Sequence, residues 1–249
     1  DAEDPTSLPN GQGVPFVLNT KLFSDYATKY RVAYIPKGEQ AIYRDGNDNA
    51  NAAILFPVGT ILAKTFSFTN ETNQTEVAAE TRLIIKRQTS GGQYYWDGLE
   101  YIWKEENGKK VAYLTQQGGV MSWDYSDVNS GDHYQGSTDA YVLPNANQCQ
   151  SCHANDDAET GSAPIGPKAR NLNRPYSSES PLASGMDAHA VNGRNQLVFW
   201  CETGLMKNCP SNMAVDSNTQ YLKAVERNPI FNIPGDSGFD SNSDKDVEA

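Results

Sequence analysis

From about residue 16 to residue 145, short apolar runs alternate with polar positions and end in turn residues, a pattern of strands rather than helices. Arg31–Pro36 and Gln40–Tyr43 are two such runs, broken at Pro36-Lys37-Gly38. Ile61–Phe68 follows a turn at Pro57-Val58-Gly59, and Ala79–Arg87 is β-branched inside and charged at its ends. Tyr94–Trp103 and Lys110–Thr115 flank Glu106-Asn107-Gly108, and an Asn-Gly pair between two such runs signals a hairpin. The pattern predicts an antiparallel meander with aromatic faces.

On either side the character differs. Residues 1–15 hold Pro5, Pro9, Gly11, Gly13 and Pro15 and predict an extended arm. After residue 145 the strand signals stop. Asn145–His153 suits a short helix, residues 154–193 are rich in Gly, Ser, Pro and Ala and suit a long loop, and Asn195–Leu205 predicts a helix ending near Gly204. Thr219–Arg227 is a second helical candidate, and an acidic tail runs from residue 234 to 249. The expected fold is α+β, mostly β: an antiparallel domain over 16–145, then a loop-rich, partly helical segment over 146–233.

Composition narrows the classes of function. The 249 residues carry a net charge of −11, which repels phosphate backbones and argues against nucleic-acid binding. No apolar run approaches the ~20 residues of a membrane helix. Only 20% of residues are charged, and aromatics are plentiful, which argues against a disordered chain. The polar start Asp1-Ala2-Glu3-Asp4-Pro5 reads as a processed N-terminus.

The most informative stretch is Cys149-Gln150-Ser151-Cys152-His153. Cys-x-x-Cys-His is the attachment motif of c-type haem. Two thiols three positions apart on a helical turn reach the two vinyl groups along one porphyrin edge, and His153 then brings an imidazole nitrogen to the iron. A redox dithiol would be expected near a βαβ pattern, which is absent. Half of a zinc site would need two more ligands, and the other cysteines lie far downstream. The expectation is one covalent haem c. Haem is attached outside the cytoplasm, so the chain is expected in the periplasm or outside the cell. Cys201 and Cys209 fit the same oxidising setting as a disulfide, or stand as two buried thiols.

The second axial position stays open. Met206 lies inside the ring that a Cys201–Cys209 bond would close, and it reads equally well as core. His189 and Met186 are further candidates, as is an iron without a second protein ligand. Met121 and Met213 are the remaining methionines, and His133 reads as a surface residue. Two glycosylation sequons, at Asn70 and Asn73, and an acidic alternation over Asp240–Asp246 carry little weight beside the haem motif.

A set of ordered matches extends over most of the chain. They are Leu22–Ala27, Phe56–Thr60 with Lys64, Glu80-Thr81-Arg82, Asn147–His153, Ile165–Asn173, and Asn195-Gln196-Leu197 through Trp200. On these residues the sequence resembles a poorly characterised family of exported bacterial c-type cytochromes. The resemblance implies a periplasmic or surface role in electron transfer. Members commonly carry a second haem after a helix that begins much like Asp246-Val247-Glu248-Ala249, so the tail is also readable as the start of a further haem domain. The order of a β-rich part and a late haem motif is similar to the cytochrome c′-β group. Some members of that group cross-link the haem to a lysine, which singles out Lys64, otherwise an ordinary strand lysine.

The expected function is electron transfer by a one-haem carrier. Its haem would be walled by aromatics such as Tyr94, Tyr95, Trp96, Trp103 and Trp123. Its redox partner would carry a basic docking patch, recognised through steering by the acidic chain. The rivals are a haem enzyme with an open iron site, acting on peroxide or a small nitrogen compound, and a subunit of a larger multihaem assembly.

Overall fold

The structure, a computed structural model, describes residues 13–18, 24, 27–43, 54–70, 75–127, 134–145, 148, 164–176 and 193–209. In chain order its strands are β1 Val14–Pro15, β2 Thr28–Tyr34, β3 Ala41–Ile42, β4 Ile61–Thr69, β5 Glu76–Gln88, β6 Tyr94–Glu106, β7 Lys109–Thr115, β8 Gly119–Asp127, β9 Tyr134–Leu143 and β10 Met206–Lys207. Helix α1 spans Ala169–Leu172 and α2 spans Gln196–Glu202. The fold is α+β and mostly β, as the hydrophobic pattern predicts. A six-stranded antiparallel sheet runs in the order β1-β2-β4-β5-β6-β7, β8 and β9 form a hairpin, and β3 pairs in parallel with β10.

Local chemistry sets the turns and ends. Asn107 and Gly108 have φ of 52° and 74°, the left-handed pair that a tight two-residue hairpin needs to follow the twist of its strands. Asn195 caps α2 by accepting from the backbone N–H groups of Leu197 and Val198 at 3.0 and 3.4 Å. Gly204, at φ 73°, turns the chain after the helix.

One face of the sheet carries two apolar cores. The first gathers Phe16, Ala33, Leu62, Leu172 and Leu197 around the fully buried Trp200. Phe16 and Phe56 meet the Trp200 ring edge-on at 6.1 and 6.4 Å. The Trp200 indole N–H donates to the Tyr176 hydroxyl at 3.1 Å, and that hydroxyl donates to the Pro15 carbonyl at 2.9 Å. Gln196 is also fully buried. Its side chain accepts the Val17 N–H at 2.8 Å and donates to the Val17 carbonyl at 3.0 Å, so it serves as a strand partner for the incoming arm. The second core joins Phe66, Phe68 and Ala79 of the sheet to Tyr141 and Leu143 of β9.

The structure departs from the sequence expectations in several places. Residues 14 and 15 of the expected arm form β1 at the sheet edge, held by pairing with β2. Met206–Lys207 forms a strand where none was expected, because two residues are too few for alternation to register. The helix expected to reach Leu205 ends at Glu202, and the expected loop over 154–193 contains α1. The expected helix over 219–227 and the acidic tail lie outside the described residues. No helix among the described residues is long and apolar enough to cross a membrane.

Candidate functional site

Three neighbouring strands each place a cation in one row. Arg31 of β2 faces Lys64 of β4, Lys64 faces Arg82 of β5, and Arg82 faces Glu100 of β6. Side chains alternate between faces along a strand. The next same-face positions are therefore Ala33, Leu62 and Ile84 toward the first core, and Phe66 and Glu80 toward the second. The charged row crosses the sheet between the two cores. It borders a cavity of about 140 Å³ whose other walls include Phe16, Leu18, Gln148 and the stretch Pro164–Pro167.

Like charges opposite each other on adjacent strands repel, and burial adds a desolvation cost. Among the described residues the chain answers this fully at Arg82 alone. Arg82 donates from Nε and Nη2 to the Glu80 carboxylate at 2.9 and 2.5 Å. Glu80 is fully buried and also accepts the Tyr141 hydroxyl. Glu100 is 4% exposed. Burial first, then Glu80, raise its carboxyl to about 8, against the pull of Arg82. Glu100 therefore holds a proton at neutral pH, which removes the repulsion between two neighbouring carboxylates, while both of its oxygens are buried without a hydrogen bond.

Among the described residues Arg31 has no comparable partner. It is 4% exposed, its Nη1 reaches only the Lys29 carbonyl at 3.5 Å, and its Nη2 is buried without a hydrogen bond. Burial lowers its pKa to about 10, so the guanidinium stays charged at neutral pH. Lys64 stands between the two arginines with its ammonium 4.6 Å from the Phe66 ring centre. Burial, then the charges of Arg31, Lys29 and Arg82, hold its pKa well below the ordinary lysine value, with Glu80 opposing.

The cavity adjoins the haem motif in sequence. After β9 the backbone N–H groups of Asn145 and Gln148 each donate to the other's side-chain oxygen at 2.9 Å. Such a reciprocal pair is the capping box that starts a helix. Cys149 is the next residue. Pro164 lines the cavity as Gln148 does.

Of the site residues expected from sequence, Cys149, Cys152, His153, His133, His189, Met186 and Met213 lie outside the described residues. Cys201 and Cys209 are bonded, with Cα atoms 6.3 Å apart. Met206 is 2% exposed within the first core and does not line the cavity, and Met121 packs on the second core. None of Tyr94, Tyr95, Trp96, Trp103 and Trp123, the aromatics expected to wall a haem, lines the cavity. Trp96 meets Phe56 in the first core and Trp123 stacks on Phe68 in the second. Trp103 donates to Thr81, on the face opposite Arg82. Tyr94 lies under Lys86, and Tyr95 is 40% exposed.

Residue-level reading missed Arg31 and Glu100 altogether. The signal for Glu100 was a charge between the same-face positions Gly98 and Ile102, as Lys64 sits between Leu62 and Phe66, whereas Arg31 shares its face with Lys29 and gave no such signal. No cluster of three or more His, Cys, Asp or Glu is placed to hold a metal ion among the described residues. Comparison with protein families, curated proteins and solved structures yields no match.

Proposed function

We propose that the chain is an exported c-type cytochrome, akin to the bacterial family it resembles, with one haem bound covalently at Cys149 and Cys152 and His153 as axial ligand. Electron transfer is its role. The observation that carries this reading is the pentapeptide Cys149-Gln150-Ser151-Cys152-His153. The surroundings suit the group. A porphyrin is a flat apolar body with two carboxylates on one edge. The cavity beside Gln148 combines apolar walls with the unpartnered guanidinium nitrogen of Arg31.

The bound group would supply one-electron chemistry at iron. The chain's residues would exclude water with Phe16, Leu18 and the 164–167 stretch. Arg31 and Lys64 would supply positive charge, which favours the reduced state of a nearby centre. The Cys201–Cys209 bond supports a periplasmic or extracellular setting. The net charge of −11 supports a redox partner with a basic docking patch.

A second reading, a haem enzyme with an open iron site, is favoured by one observation. Glu100 holds its proton to about pH 8 and lies in register beside Arg82, which lines the cavity. A proton donor near the site is what such an enzyme needs and a carrier does not. Stopped-flow mixing of the reduced protein with carbon monoxide separates the two: slow or weak binding supports the carrier, fast stoichiometric binding the enzyme. The haem itself is tested by intact mass after acid–acetone extraction. One haem should remain on the chain, and a chain stripped of all haem refutes the proposal.

A further inference from the structure

Arg31 and Lys64 at the cavity have no ion-pair partner among the described residues, and Glu80, which acts on Lys64 from a distance, is hydrogen-bonded to Arg82. Arg82 is taken by Glu80, and Glu100 lies beyond it, in register with Arg82 rather than with Lys64 or Arg31. Arg31 is protonated and buried, with Nη2 bare. Lys64 is its neighbour across β4. Lys29 adds to the positive field, while the walls from Phe16, Leu18, Pro164 and Ile165 bring no charge. An isolated buried cation costs several kcal/mol, so a chain that places one beside a cavity is built for a counter-charge.

The site also limits what that counter-charge is. One free guanidinium nitrogen and one ammonium match the two oxygens of a carboxylate, whereas a phosphate dianion calls for more donors. The apolar walls call for an apolar body behind the carboxylate.

We infer that Arg31 and Lys64 form a subsite for a carboxylate carried on an apolar body, and that in the haem-bearing protein this carboxylate is a propionate of the porphyrin. The second half rests on the function proposed above. A bound carboxylate would also restore part of the proton affinity that Lys64 loses to burial first and then to the charges of Arg31, Lys29 and Arg82.

The test uses the full chain as purified, with Arg31→Gln, Arg31→Lys and Lys64→Met beside the wild type. Intact mass first reports covalent haem, which tests the function separately. With haem present, Arg31→Gln should lower the ratio of reduced to oxidised protein at fixed potential about tenfold, which is 59 mV for one electron. Lys64→Met should shift it the same way, and Arg31→Lys should keep most of the wild-type value. Unchanged potentials in Arg31→Gln and Lys64→Met overturn the inference. Should both variants fail to fold, the propionate bending band in the wild-type resonance Raman spectrum decides, with a free-carboxylate position overturning the subsite. With haem absent, the probe is hexanoate. A saturable rise in melting temperature, lost in Arg31→Gln at matched ionic strength, supports the subsite with a free ligand as its source. No such rise overturns it.

Discussion

Two regions on the same face of the same sheet obey opposite rules. Around Trp200 the positions Ala33, Leu62 and Phe56 are apolar, and the two largest polar side chains among them are answered, Gln196 by Val17 and the Trp200 indole by Tyr176. One same-face step along β2, β4 and β5 stand Arg31, Lys64 and Arg82, of which Arg82 alone is fully answered. Strand geometry is continuous across the boundary, so backbone preference cannot explain the change. What differs is the demand on the side chains. A core needs shape and satisfied polar atoms. A row of desolvated cations is tolerated where something outside the sheet completes it. A site on a sheet therefore shows itself as a break in the apolar stripe, at positions whose neighbours two residues away remain core.

The sharpest way to break the comparison is to damage the closed region. Trp200→Ala should cost about 3–5 kcal/mol, the usual loss for deleting a buried aromatic, and denaturant unfolding measures it. The potential of the correctly folded fraction should hardly move, since Trp200 does not line the cavity. A potential shift as large as that of Arg31→Gln would mean the two regions are one unit.

A smaller effect is expected at the same end from the Cys201–Cys209 bond, whose cysteines are 8 residues apart. Replacing both by serine should cost about 2.5 kcal/mol in the chain-entropy picture. Unfolding midpoints of the double variant and of the oxidised wild type give the difference. Met206 lies between the two cysteines and in the core, so loss beyond this figure would report disturbed packing.

At the open region the informative change is Glu100→Gln. The folded carboxyl titrates near 8 and the unfolded one near 4.5. Between these values the unfolded chain has released its proton and the folded chain has not. Stability therefore falls as pH rises from about 4.5 to about 8 and levels off above, as far as this group is concerned. Glu100→Gln removes that slope. At pH 8 it should gain about 1–3 kcal/mol, the usual cost of an unanswered buried polar group, and at pH 4 almost nothing. Unfolding at the two pH values checks it, and equal effects at both would remove Glu100 from the proton-holding role.

The contrast also explains what was legible in the sequence. The meander was, because strands Ile61–Thr69 through Lys109–Thr115 alternate over enough residues for period two to emerge, and Asn107-Gly108 marks its own turn. Helix α2 was, through its Asn195 cap and Gly204 stop. Strand β3 was, within the run Gln40–Tyr43, but β1 and β10 were not, since two residues carry no period, and the partner of β10 lies far along the chain. The cation row was not, because it exists only in register: Arg31, Lys64 and Arg82 are 33 and 18 positions apart, and only antiparallel pairing lines them up. Nor does the abundance of aromatics along β6 and β8 say which of them reach the cavity.

The smallest effect tests the joint between the sheet and the haem motif. Asn145 and Gln148 close a capping box two residues beyond β9 and immediately before Cys149. Asn145→Ala removes the acceptor for the Gln148 N–H and should cost about 1 kcal/mol, the usual value of a helix cap. Global unfolding should barely register it, because the box lies outside both cores. Local opening should register it strongly: a loss of 1.4 kcal/mol is tenfold in an equilibrium constant, so the Gln148 amide should exchange with solvent several-fold to tenfold faster. Asn145→Ser keeps a side-chain acceptor for the Gln148 N–H and should restore most of the protection. If the box sets the approach to Cys149, Asn145→Ala should also lower the fraction of chains that carry the proposed haem when attachment is limiting, with Asn145→Ser close to wild type. Faster exchange with unchanged haem content would confine the box to local order and leave the approach to Cys149 to be set by the cavity wall at Pro164–Pro167.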